Sequence, residues 1–176
     1  YKPIPIDYCI IRGTYVDELG NLTTDEEAMS LELWGAVMAC KKYGGKVIAQ
    51  AKYLVKSGTL HCKRVVIPGV FIDAVVICPN PEEDHRQTHS FAFDPAYCGD
   101  IKRPNTSSDT LPLTLRKLIG RRALCELKND DILNVGTGTP NDVIGPILSE
   151  ERVENDVTIT VESGVYGGIP MGGVDF

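Results

Sequence analysis

The chain has 176 residues, of which 18 are Lys or Arg and 24 are Asp or Glu, so its formal net charge is −6. Apolar residues make up 43% and charged residues 24%, which excludes disordered, collagen-like and coiled-coil chains. The best candidate for a membrane span, Val70 to Cys78, is interrupted by Asp73 and is too short, and the acidic balance argues against nucleic-acid binding.

The first predicted elements are a strand, a turn and a helix. Tyr8 to Arg12 is typical of a short buried strand. Residues 17–21 are predicted to form a turn, because they include glycine and asparagine. Thr24 or Asp25 can cap a helix that Gly44 and Gly45 end. The apolar residues of this helix recur in two rows, which predicts that it is largely buried: Leu33, Val37 and Cys40 in one row, Trp34 and Met38 in the other.

Three further strands are predicted after this helix, at Val47 to Val55, Val65 to Ile67 and Phe71 to Cys78. A turn at Pro68-Gly69 separates the last two. The order strand, helix, strand indicates an α/β fold with open, mostly parallel sheets and flanking helices.

A proline-rich stretch then predicts a long connection between domains. It contains His85 and His89 at the i, i+4 spacing of a zinc-binding helix, but Arg86 stands where a zinc-protease motif has glutamate. We therefore interpret the two histidines as a solvated loop pair and expect no metal site.

The second half predicts another βα unit, with a helix over Leu113 to Leu127 and a strand over Asp131 to Val135. A second helix over Asn141 to Glu150 leads to a strand over Val157 to Val161. Four basic residues on the first of these helices can approach phosphates, or they form a solvated face or ion pairs: Arg116, Lys117, Arg121 and Arg122.

The six cysteines include no CxxC pair, which argues against a zinc ribbon or a thioredoxin-like motif. We expect them to be reduced and the protein to be cytoplasmic. They are Cys9, Cys40, Cys62, Cys78, Cys98 and Cys125.

A glycine-containing turn stands where ligands bind in open α/β sheets, between a predicted strand and a predicted helix. Its residues Gly136, Thr137 and Gly138 precede Thr139 and Pro140. Glycines let backbone N–H groups approach a reacting oxygen, and a helix N-terminus favours negative charge. The third glycine of a dinucleotide fingerprint is replaced by asparagine, which excludes that interpretation. A plain strand-to-helix turn remains the alternative.

The other candidate is Glu162, a carboxylate at the end of a β-branched strand and at the start of a glycine-rich segment. We expect this position to be partly desolvated, as suits a general base or a covalent nucleophile. A surface glutamate beside a loop is the alternative.

Together these residues resemble the class I (family I) CoA-transferases, of the single-chain acetate/propionate type, over essentially the whole chain. Six segments carry the resemblance: DELGNL at 17–22, GGKVIAQ at 44–50, FDPAYCG at 93–99, GRRA at 120–123, VGTGTP at 135–140 and ESG at 162–164. Some relatives have asparagine where this chain has Ser163.

The resemblance implies a ping-pong transfer of CoA between a short-chain acyl-CoA and a free carboxylate, through a glutamyl-CoA thioester. Glu162 matches the catalytic nucleophile of that family. Residues 136–138 match its oxyanion and CoA-thioester loop, and we expect a substrate-site glycine loop at Gly164, Gly167 and Gly168. No tightly bound cofactor is expected, and CoA enters as substrate.

The resemblance also implies a two-domain architecture. We expect residues 1–78 to be the end of a first domain, 79–105 a linker, and 106–176 the start of a second domain that carries the nucleophile. The chain begins at Tyr1 without Met and stops at Phe176 in a glycine-rich stretch, so we expect the middle of an enzyme. The remaining polypeptide, or a complementary fragment, is then a partner, and a homo-oligomer is expected.

Two alternatives remain open. An acyl-CoA thioester hydrolase can use the same scaffold, because water can intercept the glutamyl-CoA intermediate. A non-catalytic fragment or subunit can retain the fold without the activity.

Overall fold

The structure is a computed structural model that describes residues 2–103, 110–151 and 156–175. The chain divides into two compact units, Tyr1–Lys102 and Arg103–Phe176. Residues 79–102, most of the predicted linker, are grouped with the first unit. The assignment of the two halves to two CoA-transferase domains stays a prediction.

The first unit contains a five-stranded mixed sheet. Its strands are β1 (Tyr8–Asp17), β2 (Leu22–Thr23), β3 (Lys46–Val55), β4 (Val65–Ile67) and β5 (Ala74–Ile77). The order is β4-β2-β1-β3-β5, with β1, β3 and β5 parallel and β2 antiparallel to both of its neighbours. Strand β1 continues beyond the predicted Tyr8 to Arg12, because it pairs with β3 as far as Asp17, and Gly13 lets β2 approach it closely. The predicted α/β fold is confirmed.

Helix α1 (Leu33–Lys42) packs on this sheet through Val37 and Cys40, which are fully buried. The predicted start at Thr24 or Asp25 is wrong, since residues 24–32 lie outside any helix. The prediction that both apolar rows are buried is also wrong: Trp34 is 44% exposed and Met38 is 49% exposed. The helix ends before Gly44, which has a φ of 76°.

Two short helical elements lie where the sequence predicts a turn, a strand or a linker. Gly69–Phe71 is a 3₁₀ turn, so β5 is shorter than the predicted strand. Helix α2 (Pro81–Asp84) forms a single turn within the predicted linker.

A partly buried polar network connects the segment after α2 to the sheet. We define this polar network as Arg12, Glu26, Glu27, Lys52 and His85. His85 Nε2 lies 2.7 Å from Glu27 Oε1, Arg12 Nε lies 2.8 Å from Glu27 Oε2, and Lys52 Nζ lies 2.6 Å from Glu26 Oε2. The prediction of a solvated histidine pair is therefore wrong for His85, whose side chain is 1% exposed, although His89 is exposed.

The second unit contains two helices and a two-stranded parallel sheet. Its elements are α3 (Leu115–Leu124), β6 (Ile132–Val135), α4 (Thr139–Glu150) and β7 (Thr158–Val161). The Thr114 hydroxyl accepts a hydrogen bond from the backbone N–H of Lys117, which caps α3 later than predicted. Gly120 lets α3 approach Ile147 of α4 closely.

The four basic residues of α3 are ion-paired with carboxylates rather than forming an open anion site. Lys117 Nζ lies 2.6 Å from Glu150 Oε2, and both side chains are nearly buried. Hydrogen bonds from Lys117 and from the backbone of Leu111 hold the pKa of Glu150 below its ordinary value. The other pairs are Arg116 with Asp142, Arg121 with Glu151 and Arg122 with Glu126.

All six cysteines are free, and three of them, Cys9, Cys40 and Cys78, are buried. Among the described residues, no helix has the length and apolar character that crossing a membrane requires.

Candidate active site

The predicted glycine turn connects β6 to α4. Gly138 has a φ of 96° and a ψ of −139°, a conformation that side-chain-bearing residues rarely adopt, so glycine is required there. Helix α4 begins at Thr139, slightly before the predicted Asn141, with Pro140 in its first turn. The turn therefore lies at the positive end of a helix dipole.

Strand β7 brings Glu162 to the same edge. Strands β6 and β7 are parallel, with Val135 paired to Val161, so the residues that follow them emerge side by side. The backbone N–H of Glu162 donates to the carbonyl of Val135 at 3.3 Å. The two strongest sequence motifs thus meet in space.

The Glu162 carboxylate lies against the turn, with one oxygen hydrogen-bonded to it and the other beside Gly136. The Thr137 hydroxyl donates to Oε1 at 2.8 Å. A Cβ atom at position 136 would lie 3.0 Å from Oε2, so Gly136 leaves the room that this oxygen occupies. Glu162 is exposed in the structure, so the predicted partial desolvation is wrong for this chain.

The glycine-rich segment folds back on β7 directly after Glu162. The backbone N–H of Gly164 donates to Val161 at 2.9 Å, and that of Gly167 donates to Ile159 at 2.8 Å. Gly164, Gly167 and Gly168 have φ values of 94°, 79° and 73°, so this path depends on glycine. A role for these glycines in substrate binding stays a prediction.

Two polar side chains at the start of α4 hold the far end of this segment, and neither is among the predicted site residues. Asn141 donates to the carbonyl of Met171, and Asp142 Oδ1 accepts from the backbone N–H of Gly173 at 3.0 Å. The other oxygen, Asp142 Oδ2, accepts from Arg116 at 2.9 Å. The sequence signal was available, because both follow the glycine turn, but only the fold shows what they contact.

A carboxylate beside a glycine turn at a helix N-terminus can attack an electrophilic carbonyl carbon. Backbone N–H groups of such a turn are suitable donors to the oxyanion that this attack creates. Among the described residues, no group of three or more His, Cys, Asp or Glu side chains is arranged to hold a metal ion.

Comparison with known proteins gives relatives over the whole chain, although no family model matches. Caffeate CoA-transferase of Acetobacterium woodii is 39% identical over 170 residues, which are 97% of this chain and 32% of the relative. Acetate CoA-transferase YdiF of Escherichia coli (strain K12) is 37% identical over 179 residues, covering 100% of this chain and 32% of that protein.

A solved structure agrees with these relatives. The acyl-CoA transferase YdiF of Escherichia coli O157:H7, as a thioester complex with CoA, superposes with a TM-score of 0.82 at 37% identity, over 96% of this chain and 31% of that one. The chain therefore spans about a third of the length of the curated relatives it matches. Within that span, its sequence and its fold confirm the resemblance to the CoA-transferases.

Proposed function

We propose that the complete protein is a CoA-transferase that moves CoA between a short-chain acyl-CoA and a free carboxylate, with Glu162 as nucleophile. The observation that carries the proposal is the meeting of Glu162 with the turn at Gly136 to Gly138, where the Thr137 hydroxyl lies 2.8 Å from the carboxylate. Relatives named as CoA-transferases, at 37% to 39% identity, support the same activity.

In the first step a carboxylate oxygen of Glu162 attacks the thioester carbonyl carbon. The carbon–sulfur bond breaks, its electron pair leaves on sulfur, and the products are an acyl-glutamyl anhydride and CoA thiolate. The oxyanion that forms on the acyl group is placed against the backbone N–H groups of residues 136–138. One such donor contributes about 3–4 kcal/mol to transition-state stabilisation.

In the second step the thiolate attacks Cδ of Glu162. The anhydride carbon–oxygen bond breaks, the first acid leaves as a carboxylate, and Glu162 carries CoA as a thioester. A second carboxylate then reverses both steps, which gives ping-pong kinetics. A carboxylate is a weak nucleophile, so binding energy from the remote part of CoA must enforce close approach.

The glycine-rich segment after Glu162 is the proposed substrate-site loop. Gly164, Gly167 and Gly168 give it a backbone path that bulky residues rarely adopt, and no side chain at these positions obstructs the approach of a substrate. Such a loop is suited to shelter the anhydride from water.

The substrate partners are an acyl-CoA and a short-chain carboxylate, and CoA is a substrate rather than a resident cofactor. Since the matching relatives are about three times as long as this chain, further polypeptide is proposed to complete the CoA site. Residues 1–78 and 106–176 are proposed to be parts of two domains of a homo-oligomeric enzyme. The six free cysteines favour a reducing, cytoplasmic compartment.

The test is intact-mass analysis of the complete protein after incubation with an acyl-CoA. We expect a CoA adduct on the peptide that contains Glu162 and none in Glu162→Gln. An adduct on a cysteine, or one that persists in Glu162→Gln, contradicts the proposal. Incorporation of a labelled second acid into acyl-CoA supports transfer, whereas release of free CoA without exchange supports a hydrolase.

A further inference from the structure

We propose that the side-chain hydroxyl of Thr137 is a catalytic hydrogen-bond donor to Glu162 Oε1. It orients the carboxylate in the first step, and it stabilises the oxyanion that forms on Oε1 in the second. This inference rests on the proposed function, in which Glu162 is the nucleophile. This role differs from that of the turn backbone. The backbone N–H groups donate to the oxyanion of the substrate acyl group, whereas the Thr137 side chain donates to an oxygen of Glu162 itself.

The hydrogen bond from Thr137 makes the two oxygens of Glu162 inequivalent. Thr137 Oγ1 must be the donor, since an ionised carboxylate only accepts, and the separation of 2.8 Å is that of a normal O–H···O bond. Within residues 110–151 and 156–175, this is the one hydrogen bond that the structure gives the Glu162 side chain. Oε2 lies beside Gly136 and is the oxygen available for attack.

The choice of attacking oxygen determines where charge develops next. If Oε2 bonds to the acyl carbon, Oε1 becomes the carbonyl oxygen of the glutamyl half of the anhydride. Attack of CoA thiolate on Cδ then moves the carbonyl electron pair onto Oε1. When that pair returns, the bond from Cδ to Oε2 breaks and Oε2 leaves with the acid.

Negative charge therefore develops on the atom that the Thr137 hydroxyl already contacts. A hydrogen bond to an ionised acceptor is shorter and stronger than one to a neutral carbonyl, so this contact favours the transition state over the anhydride. The same holds in the reverse direction, when the second carboxylate attacks the glutamyl thioester.

The Thr137 hydroxyl has a restricted range of positions. Threonine is β-branched and has few side-chain rotamers, and Thr137 lies between Gly136, which follows β6, and Gly138, the N-cap of α4. Its side chain is exposed, so its removal leaves no cavity in the core. A change in rate on substitution then reports chemistry rather than unfolding.

The experiment compares Thr137→Val, which keeps the shape and removes the hydroxyl, with Thr137→Ser, which keeps the hydroxyl. Rapid-quench intact-mass analysis of the complete protein measures how fast a second carboxylate removes CoA from the preformed adduct, in which Oε1 starts as a neutral carbonyl oxygen, and steady-state assays give KM for acyl-CoA. For Thr137→Val we expect this removal to slow about 100-fold, the usual effect of losing one oxyanion donor, with KM unchanged within about twofold. Thr137→Ser restores most of the rate.

Two results overturn the inference: Thr137→Val as fast as the parent, or Thr137→Ser as slow as Thr137→Val. Glu162→Gln separates this inference from the proposed function. If its adduct persists, the proposed function fails. If its adduct is lost while Thr137→Val keeps the parent rate, only the role of Thr137 fails.

Discussion

The polar network of the first unit and the candidate site of the second both contain carboxylates, but in opposite environments. In the polar network, His85 and Lys52 are almost completely buried and each contacts a carboxylate. At the site, Glu162 is exposed and the described residues give its side chain a single hydrogen bond.

The difference separates burial from chemical availability. Glu27 contacts both Arg12 and His85, so little of its bonding capacity remains for a ligand. Glu162 keeps one oxygen beside a glycine where a substrate carbonyl can approach. We therefore expect the buried ionisable groups of the polar network to contribute to stability, and the exposed Glu162 to contribute to chemistry.

The largest effect is expected from Glu162→Gln. If this substitution lowers the stability of the protein, the contrast between the polar network and the candidate site does not hold. CoA transfer by the complete protein should fall by at least about 10⁴-fold, as on removal of a covalent nucleophile. The unfolding midpoint in urea should not change, because the side chain is exposed. A variant that unfolds earlier, or one that still transfers CoA, contradicts this prediction.

The opposite result is expected from Lys52→Met. The substitution leaves Glu26 partly buried without its cation and removes the contact of Lys52 Nζ with the Phe93 ring. Breaking a buried ion pair by removing one partner should lower the free energy of unfolding by about 3 kcal/mol, as measured by urea denaturation. Arg122→Met is the control, since its ion pair with Glu126 is exposed and should contribute little.

Gly138→Ala tests whether the site depends on backbone conformation. The position has a φ of 96° and a new Cβ would meet no atom within 4 Å, so the cost arises from the dihedral angles alone. We expect a loss of about 2 kcal/mol in unfolding free energy, with reduced transfer as the turn shifts. Gly35→Ala is the matched control: it lies within α1 with equally open space, and alanine should stabilise it by about 0.5–1 kcal/mol. Equal effects of the two variants are evidence against this dependence.

The smallest effect is a pH dependence of stability from Glu27. Burial raises the pKa of Glu27. The hydrogen bond to His85 and the charge of Arg12 lower the pKa by more than burial raises it, so the net pKa is below the ordinary 4.5. A carboxyl with a depressed folded pKa stabilises above its unfolded pKa and loses that contribution as pH falls through the folded value. The stability difference between the parent and Glu27→Gln should therefore shrink below about pH 4.5 in urea titrations. A difference that is constant with pH contradicts the prediction.

Much of the fold follows from local pattern, and the failures have a common cause. The β-branched run of β3 and the turn at Asp17 to Asn21 are dictated by nearby residues. By contrast, the burial of His85 depends on Glu27, which is remote in sequence and contacts the histidine only through the tertiary fold. Glu26 and Glu27 follow the predicted helix cap at Thr24 or Asp25 but contact β1 and β3 through Arg12 and Lys52 instead.

In the candidate site, too, the residue types could be predicted from local sequence, whereas their contacts could not. Its residue types follow from the motifs, because a strand-to-helix turn with glycines and a strand-terminal glutamate are local features. The hydrogen bond from Thr137 to Glu162 depends on the pairing of Val135 with Val161 in parallel strands, which no local pattern specifies. The exposure of Glu162 likewise depends on which chain segments surround it, so the expectation of partial desolvation was wrong.

The close approach of Glu162 to Gly136 is expected to couple the two positions during evolution. A methyl group at 136 would lie 3.0 Å from Oε2, so an alanine there should shift the exposed Glu162 side chain away from the turn. That shift in turn weakens the contact of the carboxylate with the hydroxyl at 137. We therefore expect positions 136, 137 and 162 to vary together or remain fixed together among homologues, as one inherited unit.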